Sequence, residues 1–285
     1  MSTPRSVQLP PGVRRSTVEV SAGPLAVVTC TPSSPTDTVV LVPGYTGSKE
    51  DFLAILEPLA EGGHAVLAYD QRGQYESPGD DQPASYRLGA LAGELLDLLR
   101  GVGPAHVVGH SFGGLVARAA ALRNPAAFRS LTLLCSGPAA VPGARADAVR
   151  TLRPVLAEGG KAALWLRMTE LSEGAEPLPA DVAAFLQRRF DGSSGVGYLV
   201  MGDALVDEPD RTEKLRATGL PLLVAYGEDD DAWPPALQAD MARRLAARHS
   251  VIADAAHSPA VEQPAATVAV LQEFWAGVSR EAATR

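Results

Sequence analysis

The chain has 285 residues, is 46% hydrophobic and 20% charged, and carries a net charge of −8. No block of Lys and Arg breaks that acidic balance, which excludes nucleic acid as the main partner because phosphate binding needs clustered positive charge. The N-terminal stretch MSTPRSVQLPPGVRRS lacks an apolar signal region, and no apolar run of about 18 residues exists, so the expectation is a cytoplasmic protein with no membrane span.

In chain order, Ser16–Ser21 and Leu25–Thr31 read as a strand pair turning through Ala22-Gly23-Pro24. Thr38–Val42 (TVVLV) is an apolar strand ending in Pro43-Gly44. Ser48–Gly62 has helical spacing of Phe52, Leu53, Leu56 and Leu59. His64–Tyr69 is the next strand, and Ser85–Arg100 a helix. His106–Gly109 is a strand followed at once by a helix from Phe112 to about Leu122, and Leu131–Cys135 is another strand. Gly137 to about Leu220 is helical in pattern, interrupted by the Gly/Ser stretch 191–197. Strands resume at Leu222–Tyr226 and Ser250–Ala253, and a helix over Ala260–Val278 closes the chain. Apolar strands alternating with helices predict a mostly parallel, eight-stranded sheet covered on both faces. The expected division is a core of residues 1–137 and 206–285 with a helical cap of 138–205 inserted in it. In such a sheet, active groups gather at the carboxyl ends of the strands.

Gly109-His110-Ser111-Phe112-Gly113 matches G-x-S-x-G, with a strand before the serine and a helix after it. That turn lifts a serine hydroxyl above the sheet and aims a helix N-terminus at the reaction centre. An ordinary Gly-rich turn with a capping serine is the bland alternative. A serine needs a base, and histidine is the usual one. His64, His106 and His249 stand at the heads of strands, the wrong end. His110 adjoins Ser111 on an extended chain, where neighbours point apart. His257, after the last strand, remains. The imidazole needs a carboxylate to orient it. Glu228-Asp229-Asp230-Asp231 follows the penultimate strand, and spacing between Gly227 and Pro234 favours Asp230, with Asp229 and Asp231 as alternatives. The order Ser111, Asp230, His257 separates this chain from chymotrypsin and subtilisin arrangements. Oxyanion donors are expected from the Phe112 N–H and the Tyr45 N–H. The loop Pro43–Gly47 also reads as a plain turn capped by Thr46 or Ser48. Cys30 and Cys135 sit in apolar runs and read as packing residues. No Cys/His spacing suits zinc, so neither metal nor cofactor is expected.

The pieces LVPGYTGS, YDQRGQYES, VVGHSFGGLVA, LLVAYGEDDDAWP and DAAHSPAVEQP, in that order over residues 40–264, resemble the α/β-hydrolase superfamily, in its serine esterase, haloperoxidase-like and C–C hydrolase group. The resemblance implies the α/β-hydrolase fold, the acid at Asp230, the base at His257 and a mainly structural role for Asp70 and Arg72-Gly73. Pro43 departs from it, since many relatives carry His there. Serine at the elbow argues against the epoxide hydrolases and haloalkane dehalogenases of this fold. The leading expectation is hydrolysis of a small, largely apolar carboxylic ester through an acyl-enzyme. The same triad also serves C–C bond hydrolysis or cofactor-free perhydrolysis, and a non-catalytic ligand receptor is the reading from another class. The inserted helices are expected to line an apolar acyl pocket, with Trp165 and Met168 as first contacts.

Overall fold

The computed structural model describes residues 2–171 and 177–283. The strands are β1 Arg14–Val20, β2 Gly23–Cys30, β3 Asp37–Val42, β4 His64–Tyr69, β5 Ala105–His110, β6 Phe128–Leu134, β7 Leu222–Gly227 and β8 Arg248–Ile252. They form one eight-stranded sheet in the order β1-β2-β4-β3-β5-β6-β7-β8. β2 runs antiparallel to β1 and β4, and all later neighbours are parallel.

Helices α1 Leu53–Glu61, α2 Leu88–Val102 and α3 Phe112–Arg123 follow β3, β4 and β5; α8 Pro235–Leu245 follows β7, and α9 Pro259–Glu262 and α10 Pro264–Ala283 follow β8. Each central strand is apolar throughout because both of its faces are covered. Val39 and Leu41 pack against Ile55 and Leu59 of α1 and Leu271 and Trp275 of α10. Val40 and Val42 point the other way, to Leu95 of α2, Ala117 of α3 and Met241 of α8. Removing each such side chain from water contributes about 1.5–3 kcal/mol.

The ends of helices depart from the sequence expectation where the backbone chemistry changes. The first turn of the 48–62 helix is a 3₁₀ turn, Lys49–Phe52, and another 3₁₀ turn, Pro83–Tyr86, precedes α2. The last helix is two, because Pro264 disfavours helical backbone at Gln263 and starts α10 afresh. α7 Thr212–Arg216 falls within the stretch read as helical, whereas α8 was not anticipated.

Between β6 and β7 lie α4 Gly143–Leu171, α5 Ala180–Gly192 and α6 Gly195–Asp207 ahead of α7; residues 172–176 of the expected 138–205 insertion are outside the described residues. Gly160, at φ 69°, breaks α4 into two helical pieces. Ala146 of α4 and Met201 and Leu205 of α6 pack over Phe112 and Leu115 of α3. Arg189 of α5 is buried and ties these helices to the core, donating to Asp51 Oδ1 at 2.8 Å and to the Ser2 carbonyl at 2.7 Å. Among the described residues no helix is long and apolar enough to cross a membrane.

Candidate active site

Ser111 stands between β5 and α3 with φ 55° and ψ −122°. A non-glycine residue there is strained, and the surroundings hold it in place. Its N–H bonds the Leu134 carbonyl at 2.9 Å. A Cβ at Gly109 would come within 2.5 Å of the Gly113 carbonyl, so only glycine lets strand and helix approach this closely.

His257 follows β8. Its Nε2 is 2.9 Å from Ser111 Oγ and its Nδ1 2.9 Å from Asp230 Oδ1. The structure therefore joins Ser111, His257 and Asp230 in one hydrogen-bonded line at the carboxyl ends of β5, β7 and β8. Asp230 is buried, and its remaining lone pairs accept from the Ala232 N–H at 2.9 Å and from Gln238 Nε2 at 2.8 Å. Burial pushes its carboxyl up, but the bond to and charge of His257, with the two other donors, outweigh that and hold it below the ordinary carboxylate value. Asp229 is exposed, and Asp231 is spent outward on Arg145, at 2.7 and 2.8 Å.

His64, His106 and His249 fall within the first two residues of β4, β5 and β8, away from this line. His110 corrects the sequence reading. Its ring does not point away from the site; Nε2 donates to the His257 carbonyl at 2.6 Å, and the two rings lie 5.1 Å apart. Burial and the neighbouring His257 push the His110 ring down to about 4, so it is neutral near pH 7. Glu262 was also missed. Its carboxylate accepts from the N–H groups of Ala256 and of Ser258, the latter at 3.1 Å, and so grips the backbone on both sides of His257. Gln238 was missed as well, because the helix after Pro234 that carries it was not anticipated.

Gly44 is packed against Ser111, since a Cβ there would lie 3.2 Å from Ser111 Cβ. The adjoining Tyr45 N–H makes no backbone hydrogen bond among the described residues. Phe112 N–H is the first helix amide, without an intrahelical partner. Neither predicted donor is thus taken up by another backbone group among the described residues. Ser48 holds the N-cap position of the following turn, but its hydroxyl makes no capping bond among the described residues; its N–H bonds Asp51 Oδ2 at 3.3 Å instead.

A cavity of about 350 Å³ opens over Ser111 and His257, walled by Val149, Leu152, Leu156, Leu164 and Met168 of α4 and by Trp233. Trp165, expected to line it, does not. Its ring packs behind Phe190, 4.8 Å between centroids, and Phe190 is the one that reaches the cavity. Arg145 and Arg153 reach the rim, each matched by a carboxylate, Asp231 and Asp203. Their charge is therefore largely compensated.

Cys30 and Cys135 are buried, unpaired thiols. Cys135 lies beneath the line, with Asp230 and His257 ligand atoms within 4.8 Å of its Sγ. Burial, and then the Asp230 charge, raise that thiol, and its Sγ faces the Ala256 carbonyl at 3.7 Å. A neutral thiol whose neighbours are already bonded to one another fits packing better than metal ligation.

The sequence matches the alpha/beta hydrolase family over residues 39–270. A carbamate hydrolase by name, RutD of Pantoea ananatis, is 30% identical over 245 residues, 80% of this chain and 84% of that one. Matches to RutD proteins of Variovorax paradoxus and Stutzerimonas stutzeri, each 38% identical, span only 37% and 44% of those chains. A solved structure described as a hydrolase from Pseudomonas aeruginosa superposes with a TM-score of 0.73 at 26% identity, covering 92% of this chain and 98% of that one.

Proposed function

This chain belongs to the alpha/beta hydrolase family of enzymes, and on that premise we propose that it is a serine hydrolase cleaving a carboxylic ester, or a related acyl bond, of a small and largely apolar substrate. The observation that carries the reading is the continuous Ser111–His257–Asp230 line under a mainly apolar cavity. Ser111 is the nucleophile. His257 Nε2 takes the Oγ proton as the oxygen attacks the substrate carbonyl carbon, and Asp230 stabilises the imidazolium. The tetrahedral oxyanion is met by the N–H groups of Tyr45 and Phe112. The imidazolium returns its proton to the leaving alcohol as the C–O bond breaks. Water, deprotonated by His257, then hydrolyses the acyl-enzyme and frees Ser111. No step calls for a cofactor.

The helices α4–α6 act as the cap over this site. A wall of aliphatic side chains with compensated charges at its rim favours an uncharged acyl group. The relatives named for carbamate hydrolysis make a carbamate ester one of the acyl bonds worth testing. The test is labelling with a fluorophosphonate, followed by turnover of a panel of p-nitrophenyl esters and carbamates. Labelling at Ser111 and turnover of short apolar acyl esters are expected. Labelling elsewhere, or a clear preference for a charged acyl group, overturns the reading.

A further inference from the structure

The loop that carries Tyr45 has an unusual problem. Proline at position 43 has neither an N–H nor a polar side chain to brace the strand end leading into the loop, and within the loop the Gly47 N–H meets the Gly44 carbonyl at 3.2 Å. Three successive carbonyls, those of Pro43, Gly44 and Tyr45, have to be kept turned from the reacting carbonyl if the Tyr45 N–H is to face it. A carbonyl rotated inward would both remove the donor and repel the oxyanion.

Two glutamines from the turn after β4 meet those carbonyls. Gln71 Nε2 donates to the Pro43 carbonyl at 2.9 Å. Gln74 Nε2 donates to the Gly44 carbonyl at 2.7 Å and to that of Tyr45 at 3.2 Å. Both side chains are almost wholly buried. The Gln74 amide is held the right way round, because its Oε1 accepts the Gln71 N–H at 3.2 Å. The turn that carries them is fixed as well: Gln74 N–H bonds the Gln71 carbonyl at 2.8 Å, and Ser77 Oγ bonds the Asp70 carbonyl at 2.7 Å. Asp70 in turn accepts from both the N–H and the Nζ of Lys49, each at 2.7 Å, just past the far end of the loop. The loop is thus gripped at its carbonyls and at its exit by one short segment.

We propose that Gln71 and Gln74 are positioning residues that orient the Tyr45 N–H for the oxyanion. This rests on the reading of Ser111 as nucleophile. The two glutamines touch no substrate; they act through the loop backbone.

Gln71→Met and Gln74→Met keep the side-chain length and remove the donors. The expected result is a fall in kcat of about 10–100-fold, short of the loss from deleting a donor outright, with KM for the ester within about twofold. Affinity for an alkyl boronic acid, which forms a tetrahedral adduct on the serine, should fall by the same factor as kcat. A merely structural role would lower thermal stability and leave that parallel absent. Unchanged kcat and boronate affinity in both folded variants overturns the proposal, as does a rise in KM alone. Among the described residues Gln71 Oε1 has no partner, so Gln71→Met removes a single bond and is the variant that best keeps the fold. A measurement on the unaltered protein stands behind both: the Tyr45 amide proton should shift downfield on boronate binding, and a stationary Tyr45 resonance sinks the idea. Absence of any fluorophosphonate label on Ser111 in the unaltered protein would instead reject the nucleophile, a distinct failure.

Discussion

The sheet carries a serine, a histidine and an aspartate in line at each of its two ends. At the carboxyl end are Ser111, His257 and Asp230. At the amino end Ser130 Oγ is 2.7 Å from His106 Nδ1, while His106 Nε2 lies 3.4 Å from Asp37 Oδ2, and His64 Nδ1 bonds the other Asp37 oxygen. The side-chain chemistry is nearly the same, yet everything around it differs. Ser130 is an ordinary residue within β6, paired across the ladder with His106. The imidazole of His106 is stacked on Trp275, with ring centroids 5.2 Å apart and planes inclined 27°. Ser130 is fully buried and His106 only 1% exposed, so no substrate carbonyl can reach either. Ser111, in contrast, sits on a strained turn at a helix N-terminus and under a cavity, and the donors proposed for the oxyanion are the amides of Tyr45 and Phe112. A serine–histidine–aspartate line alone is good packing for a buried polar cluster. Reactivity needs the turn, the space and the donors as well.

That contrast can be broken most directly at the serines. Ser111→Ala should abolish ester turnover in a folded protein, whereas Ser130→Ala should keep kcat within about threefold while losing about 1–3 kcal/mol of stability through the unpaired imidazole. Steady-state kinetics and chemical denaturation of the two variants decide it, and equal losses of activity would erase the distinction.

The acids give the next largest effect. Asp230→Asn should lower kcat about 10⁴-fold, since the imidazole then loses its tautomer and its counter-charge. Asp37→Asn, Asp229→Asn and Asp231→Asn should each change kcat by less than about fivefold. A ranking led by Asp229 or Asp231 would reassign the acid.

Cavity substitutions come third. Met168→Ala should shift the preference among acyl chain lengths, read as relative kcat/KM, within the roughly 10–200-fold range available to apolar pockets. Trp165→Ala, whose ring faces Phe190, should move that preference less. A larger shift at Trp165 than at Met168 would show that the wall is drawn wrongly.

The two ends should also lose stability in different pH windows, a smaller effect that sharpens the comparison. The folded His110 ring titrates near 4, below its ordinary 6.5, so the unfolded chain takes up the proton first. Its contribution is complete above pH 6.5 and fades as pH falls towards 4. The groups facing it are His257, Asp51 and Asp230. For Asp37, burial raises the carboxyl, but the bonds from His106 and His64 prevail and depress it below the ordinary 3.8. Its contribution is present above pH 3.8 and declines as acid is added below that. Denaturation midpoints against pH should lose the upper window in His110→Gln and the lower one in Asp37→Asn. Identical pH curves for both variants would contradict the assignment.

The strands were legible because TVVLV, VVGH and LLVAY are apolar without interruption, a pattern that a two-sided burial leaves in the sequence. Ser111 and His257 were legible because the elbow and the last loop have fixed places in chain order, and Asp230 only as the first of three choices. What the sequence hides is contact across distance. His110 looks idle beside Ser111 until the chain returns 147 residues later to place a carbonyl on its ring. Gln71 and Gln74 look like solvent-facing turn residues until the loop after β3 folds over them. Trp165 and Met168 are three positions apart on one helix, and no apolar pattern says which of the two faces the opening.

The backbone at position 111 has a consequence for inheritance as well as for catalysis. At φ 55° a side chain branched at Cβ has no comfortable rotamer. Threonine offers the same hydroxyl as serine, yet the turn refuses its extra methyl group. Substitution at this position is therefore filtered by shape before chemistry is consulted, and unbranched cysteine is sterically the nearer neighbour of serine than its fellow alcohol.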